Sequence, residues 1–300
     1  MLGLGLSLLT GGALRPYYAV VAAAFKERVE ADGGTVESMS CLKQDLKVLN
    51  PIKPPASSFD ADYQAILDQA SSLGYTAPSA SQQTLQNTLV TDLKTAGIWN
   101  KLDALYIMAN DGSREFGRLN WASPSTFELS ESGSPEFTSN QGFYGIADGR
   151  QSTLDTGINM GVDTTQFNQS TLNGSFGGWS YNVKLGGGNA LMGDLLDINN
   201  IRGGSADSIF GERAGSATLV TGLYHMNADS TDGLQFINGS QVASSALGAL
   251  QTTTNTMHLL SEGGTTAHSA DTISIAFIGG DLSAEASDLY NAFNTYMSAL

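Results

Sequence analysis

Cysteine is almost absent. Cys41 is the only one in 300 residues, which excludes an internal disulfide and a metal site built from thiolates alone. The three histidines, His225, His258 and His268, show no H-x-H or H-E-x-x-H spacing, so no zinc centre and no other metal or cofactor is expected. Charge is sparse, at 14% of residues, and its basic half is the smaller: 14 Lys and Arg stand against 29 Asp and Glu, for a net charge of −15. Such a surface repels phosphate backbones and anionic lipid, so neither nucleic-acid binding nor membrane insertion is expected. Long apolar runs are missing too. Beyond Leu2 to Leu9 the longest is Ala19 to Phe25, far short of the ~20 residues that span a bilayer. No basic residue precedes the Leu2 to Leu9 run and no small-x-small cleavage site follows it cleanly, so the expectation is a soluble, unprocessed chain.

Apolar residues reach 41% and glycine 35 positions, enough for a real core joined by many tight turns. The length suits roughly two domains or one large β domain. At the N-terminus, Leu2, Leu4, Leu6 and Leu8 alternate with Gly3, Gly5 and Ser7, a period of two that puts the leucines on one face of a strand. Residues 1–15 are therefore expected to be an extended attachment segment, its leucines pairing with another sheet. An internal first strand or a plain tail is the alternative.

From Pro16 the period becomes helical. Tyr18, Val21, Phe25 and Val29 recur at three and four residues, and Gly33-Gly34 closes the run. Ser38 can cap a second helix through Leu42, Leu46 and Leu49, and Asp60 or Asp62 a third through Tyr63, Ile66, Leu67 and Ala70 to Gly74. Ser81 opens a fourth, with Leu85, Leu89, Val90 and Leu93 on its apolar side and Gly97 as its stop. Residues 16–100 read as a helical module.

Beyond Leu102 short apolar or alternating runs are separated by Gly, Asn, Asp and Ser. They predict strands at Ala104 to Ala109, Phe116 to Trp121, Gly142 to Ile146, Ser175 to Lys184, Ala190 to Leu196, Ala217 to His225, Leu234 to Ile237, Thr256 to Leu260 and Asp271 to Ile278. This density predicts a β-sandwich or jelly roll over residues 101–300. A last helix, Ser283 to Leu300, opens on a partial capping box and carries Leu289, Tyr290, Phe293 and Met297 on one face. A fragment of residues 101–300 is expected to fold without the helical module.

Catalytic constellations are not evident. The string Gly203-Gly204-Ser205-Ala206-Asp207 breaks the G-x-S-x-G elbow, and Gly186-Gly187-Gly188 lies between strands, where glycines make turns. Glu128 and Glu131, like Asp194 and Asp197, are three apart, which in a strand puts them on opposite faces and favours solvated acids over a glycosidase pair. Asn227, Asp229 and Asp232 crowd the turn NADSTDG. Their oxygens suit calcium, but the same residues are what a hairpin demands, and the turn is the preferred reading. Trp121, Trp179 and Tyr181 could stack on sugars and read first as core.

Two segments carry a resemblance. LYHMNADSTDGLQFINGSQV (223–242) and ISIAFIGGDLSAEASDLYNAFNTYM (273–297) resemble the hairpin and the closing strand and helix of laminin-G-like or concanavalin-like domains. FKERVEADGGTVES, PSASQQTLQNTLVTDLKTAGIWNKLDALYIMANDG and LNWASPSTFELSESGSPEFTSNQGFYG resemble virion proteins of tailed bacteriophages. The resemblance implies a mainly β fold: a helical N-terminal module, a concanavalin-like β-sandwich (jelly roll) and a C-terminal helix. It also implies a non-enzymatic virion component, whether fibre, decoration or tail-associated, located in the particle and partnered by other virion proteins and copies of itself. The alternatives are an adhesin-like protein that binds a host-surface glycan and, third, a glycan-cleaving enzyme. The expected attachment residues are Leu2, Leu4, Leu6 and Leu8, with no catalytic or cofactor-binding residues.

Overall fold

The run TISIAFIG is apolar at nearly every position, a pattern that suits a strand covered on both faces. In the computed structural model it is β14 (Thr272–Gly279), buried along its whole length. The structure describes residues 59–145, 152–182, 190–193, 199–202, 205–209, 220–247, 254–264 and 268–300. The chain divides into units 1–58 and 59–300, and every element below belongs to the second. The helices expected at 16–33 and 38–50 and the segment bearing Leu2, Leu4, Leu6 and Leu8 lie outside the described residues, as do Asp194 and Asp197.

One edge of β14 pairs with β6 (Asn173–Asn182) and the other, in succession, with β4 (Gly142–Tyr144) and β1 (Leu102–Ile107), all antiparallel. Beyond β6 come β10 (Gly222–Asp229), β11 (Asp232–Ile237) and β12 (Ser240–Ala246), while β3 (Glu136–Thr138) extends β4, giving eight strands. A second sheet of six runs β2 (Ser130–Ser132), β5 (Thr153–Asp155), β13 (His258–Leu259), β7 (Ala190–Gly193), β8 (Asn199–Arg202) and β9 (Ser205–Ile209). Ala104, Tyr106, Phe176, Met226 and Ile278 from the large sheet meet Leu154, Leu191, Met192 and Leu259 from the small one in a single apolar core. The expected mainly β class, stacked antiparallel sheets in a sandwich with a C-terminal helix, is the architecture found.

The large sheet is covered on its other face as well. Leu105, Ile107, Trp179, Leu223, Ile275 and Phe277 pack there against α1 (Ala61–Leu73), α2 (Ala80–Thr95) and α3 (Ala286–Ser298) through Tyr63, Ile66, Leu89, Leu93, Leu289 and Phe293. Glycine makes room at the centre of that sheet. A Cβ on Gly177 would lie 2.4 Å from the Tyr224 carbonyl oxygen and 2.5 Å from the Phe277 ring, so glycine here lets the β10 backbone and the Phe277 ring of β14 close on the strand.

A chain of hydrogen bonds runs through this second core. The Tyr63 hydroxyl donates to Gln86 Oε1 (2.7 Å), Gln86 Nε2 donates to the Tyr296 hydroxyl (3.1 Å), and that hydroxyl donates to the Ala109 carbonyl (2.6 Å). Residues 59–300 form one compact unit, in which α1 and α2 pack with the strands that follow them. α1 and α2 complete the cover of the large sheet, and among the described residues their buried apolar side chains belong to this one core.

Local corrections follow similar lines. Phe116–Arg118 is a 3₁₀ turn, because Gly117 presses on β1's end where a Cβ would meet Asn110 Nδ2 at 2.9 Å. Asp60 caps α1 through the Asp62 N–H (2.9 Å) and Gly74 ends it at φ 74°. For α2 the cap is Ser79, two residues before the expected Ser81. The capping box expected at Ser283 does not form: its hydroxyl donates to Asp281 (2.7 Å), and α3 begins at Ala286 without a side-chain cap.

Candidate functional site

The 3₁₀ turn and the loop before it place Arg114, Glu115 and Arg118 on one wall of a cleft of about 590 Å³, and the chain entering β2 places Glu128, Leu129, Ser130 and Glu131 on the other. Arg118 forks between the acids: Nη2 donates to Glu128 Oε1 (2.9 Å) and Nη1 to Glu131 Oε1 (3.2 Å). Arg114 donates to Glu131 as well, and to the Pro135 carbonyl (3.0 Å), with its guanidinium 5.6 Å from the centre of the Phe143 ring. From the α1–α2 loop, the Tyr75 hydroxyl donates to Glu128 Oε1 (2.9 Å).

Glu128 and Glu131 were expected on opposite faces of a strand. They converge because β2 starts only at Ser130 and Phe127 turns the chain at φ 56°. Burial opposes the charge on Arg118, but the fields of Glu128 and Glu131 outweigh it and raise its pKa above the ordinary arginine value. Burial, then the bond to Glu128, pushes the Tyr75 phenol up. Glu115 is held below the usual carboxylate range by its own backbone N–H, against burial, with help from the Ser113 hydroxyl and the two arginines. These charge-assisted bonds, with that from Tyr75, join three chain segments. Each glutamate thus accepts a hydrogen bond from a guanidinium.

The other sequence-predicted residues do not join this cleft. Asp229 closes a tight hairpin, its Oδ1 accepting from Thr231 N–H (3.0 Å) and Asp232 N–H (2.8 Å) around Ser230 at φ 76°. Asn227 is buried and braces the start of α3's approach: its Nδ2 donates to Asp281 (2.9 Å) and its Oδ1 accepts from the Leu282 N–H (2.9 Å). Asn227 Oδ1 and Asp229 Oδ1 therefore serve separate structural bonds, and among the described residues no group of three His, Cys, Asp or Glu could hold a metal ion. Trp121 and Trp179 are core, Trp179 stacking on Tyr290 at 6.0 Å. Tyr181, expected with them, is 40% exposed.

Sequence reasoning passed over Arg114, Arg118 and Tyr75. A signal existed: seven arginines occur in the chain, and two of them stand four apart, with E-x-x-E ten residues on. It also passed over His225, which is buried between Phe236 (5.0 Å, stacked) and Phe277 (5.4 Å, edge-on) with neither ring nitrogen hydrogen-bonded. Burial pulls its pKa down to about 3.

No protein-family model matches the chain, and no curated protein is similar to it in sequence. Among solved structures it is similar to Trypanosoma rangeli sialidase (12% identity, TM-score 0.45), over 72% of this chain and 40% of that one. It is also similar to domain 4 of AbnA, a GH43 extracellular arabinanase from Geobacillus stearothermophilus, solved with arabinotriose (14%, TM-score 0.41), over 63% of this chain and 98% of that one. A third likeness is to the binding domain of botulinum neurotoxin DC, solved with rat synaptotagmin II (9%, TM-score 0.41), over 65% of this chain and 52% of that one. None of these likenesses bears on activity.

Proposed function

We propose that the chain is a non-enzymatic structural component of a tailed-phage virion, a fibre, decoration or tail-associated protein that displays unit 59–300 and attaches through its N-terminal part to other virion proteins. The observation that carries this reading is the period-two alternation of Leu2, Leu4, Leu6 and Leu8 with Gly3, Gly5 and Ser7, a pattern suited to strand addition onto another protein. The sequence resemblance to virion proteins supplies the context. The non-enzymatic half rests on the cleft, where the acids are engaged with arginines. The test is the double substitution Leu4→Asp and Leu6→Asp: circular dichroism should be unchanged and incorporation into particles lost. Normal incorporation with the fold intact overturns the attachment role.

The second reading is recognition of a host-surface glycan, and the open Arg114–Glu131 cleft favours it, since guanidinium and carboxylate pairs bond sugar hydroxyls well. Binding on a glycan array that disappears with Arg114→Ala would establish it. Reproducible hydrolysis of a polysaccharide, abolished by Glu128→Gln, would move the protein to the third reading, a glycan-cleaving enzyme.

A further inference from the structure

Sheet edges expose unpaired N–H and C=O groups, and proteins normally blunt them with charge, proline or short length. Four of the five edges here follow that rule. β3 is three residues long and holds Glu136 after Pro135, β2 is three residues long and holds Glu131, β9 carries Asp207, and β1 holds Asp103 and has its Leu105 N–H and carbonyl taken by Asn120 and Trp121. The fifth edge, β12, does not. It is seven residues long, SQVASSA, with a strand partner on one side only among the described residues. From Gly233 to Ser261 the sequence contains no Asp, Glu, Lys, Arg or Pro. In a chain of net charge −15, this is a surface on which two copies can meet without bringing like charges together.

We infer that β12 is a self-association edge at which two copies of this chain pair antiparallel, joining their eight-stranded sheets into one. A two-fold axis normal to the sheet makes the same strand self-complementary and antiparallel, and it leaves both helical layers on one side. The local structure sets where pairing centres. Gln235 opposes Ala243 and Phe236 opposes Gln241, so Val242 is an extra residue, 48% exposed, that kinks the edge. The regular stretch beyond it, Ala243 to Ala246, holds only alanine and serine, whose small side chains admit a neighbouring strand at about 4.8 Å. Backbone bonds would supply the attraction, as in other strand additions. This pairing is independent of the virion reading, because it concerns the free protein in solution.

The experiment is sedimentation equilibrium of the full chain. Dimer is expected at tens of micromolar, and the double substitution Ser244→Lys and Ala246→Lys should raise the dissociation constant at least tenfold with circular dichroism unchanged. Val162→Lys, at a 75% exposed side chain of a separate turn, should leave it as it was. Hydrogen exchange on the unmodified chain gives a second readout: amides 240–247 should gain protection as concentration rises. A chain that stays monomeric overturns the inference. So does a dimer that shows no such protection, or one broken by Leu4→Asp with Leu6→Asp and untouched by the lysines.

Discussion

The two sheets solve the same problem differently. The large sheet is sealed on both faces, by the small sheet on one side and three helices on the other, whereas the described small-sheet side chains that join a core do so on the sandwich side. The difference shows in the strands. β14 and β10 bury nearly every residue, and they carry long-range contacts from both ends of the unit, including Tyr63 in α1 and Phe293 in α3. β2 and β5 are three residues each and alternate or mix their burial. Stability is therefore expected to concentrate on the helix-covered side, and truncations that look peripheral in sequence should strike the centre.

The largest break comes from removing α1 and α2. A fragment beginning at Leu102 should be molten or aggregate, because it uncovers Leu105, Ile107, Phe277 and Phe293 together, whereas one beginning at Phe59 should melt cooperatively. Near-ultraviolet circular dichroism and dye binding distinguish the two outcomes. Next, Phe293→Ala should cost about 3–5 kcal/mol by denaturant titration. Met192→Ala, on the small sheet, should cost about 2 kcal/mol, the low end of its class. An equal or larger loss at Met192 would erase the asymmetry.

A pH experiment sharpens the comparison on the same buried face. His225 is neutral in the folded protein, its pKa lowered from 6.5 to about 3 by burial. Below pH 6.5 the unfolded chain takes up a proton that the folded one refuses, so stability is intact above that pH and falls as pH drops toward 3. Linkage puts the loss at about 3 kcal/mol by pH 4. His225→Phe, which keeps the stack on Phe236 and removes the two unbonded nitrogens, should flatten this part of the profile. A slope unchanged in that variant would place the acid sensitivity elsewhere. The smallest effect is expected at the cleft: Glu131→Gln weakens partly exposed ion pairs and should cost about 1 kcal/mol or less.

Much of the architecture was legible in local pattern. α1 and α2 follow helical period and α1 stops at Gly74, β14 is a long apolar run, and the Asn238-Gly239 hairpin between β11 and β12 takes left-handed φ at both residues, 50° and 76°. Other features depend on distant partners and leave little local trace. β8 and β9, NNIR and SADSI, have no apolar alternation and are strands because they pair with β7 and with each other. The alternation in FGRLNW mimicked a strand while Gly117 was meeting Asn110. At the cleft, Arg118 gathers acids ten and thirteen residues away, a fork that spacing alone does not announce. His225 reads as one more position in a β-run until the aromatic rings on either side are known.

The position of β14 also sets an order of events during synthesis. The strand that joins β6 to β1 and β4, and the helix that follows it, emerge after every other element described here. Until residues 272–298 leave the ribosome, β1 has no neighbour in its sheet and β6 lacks one of its two. Until then the nascent chain carries two open sheet margins, at β1 and at β6. A translation pause or a stop shortly before Thr272 would leave these margins exposed to neighbouring nascent chains, and cells making the protein at high yield would depend on chaperones during that interval.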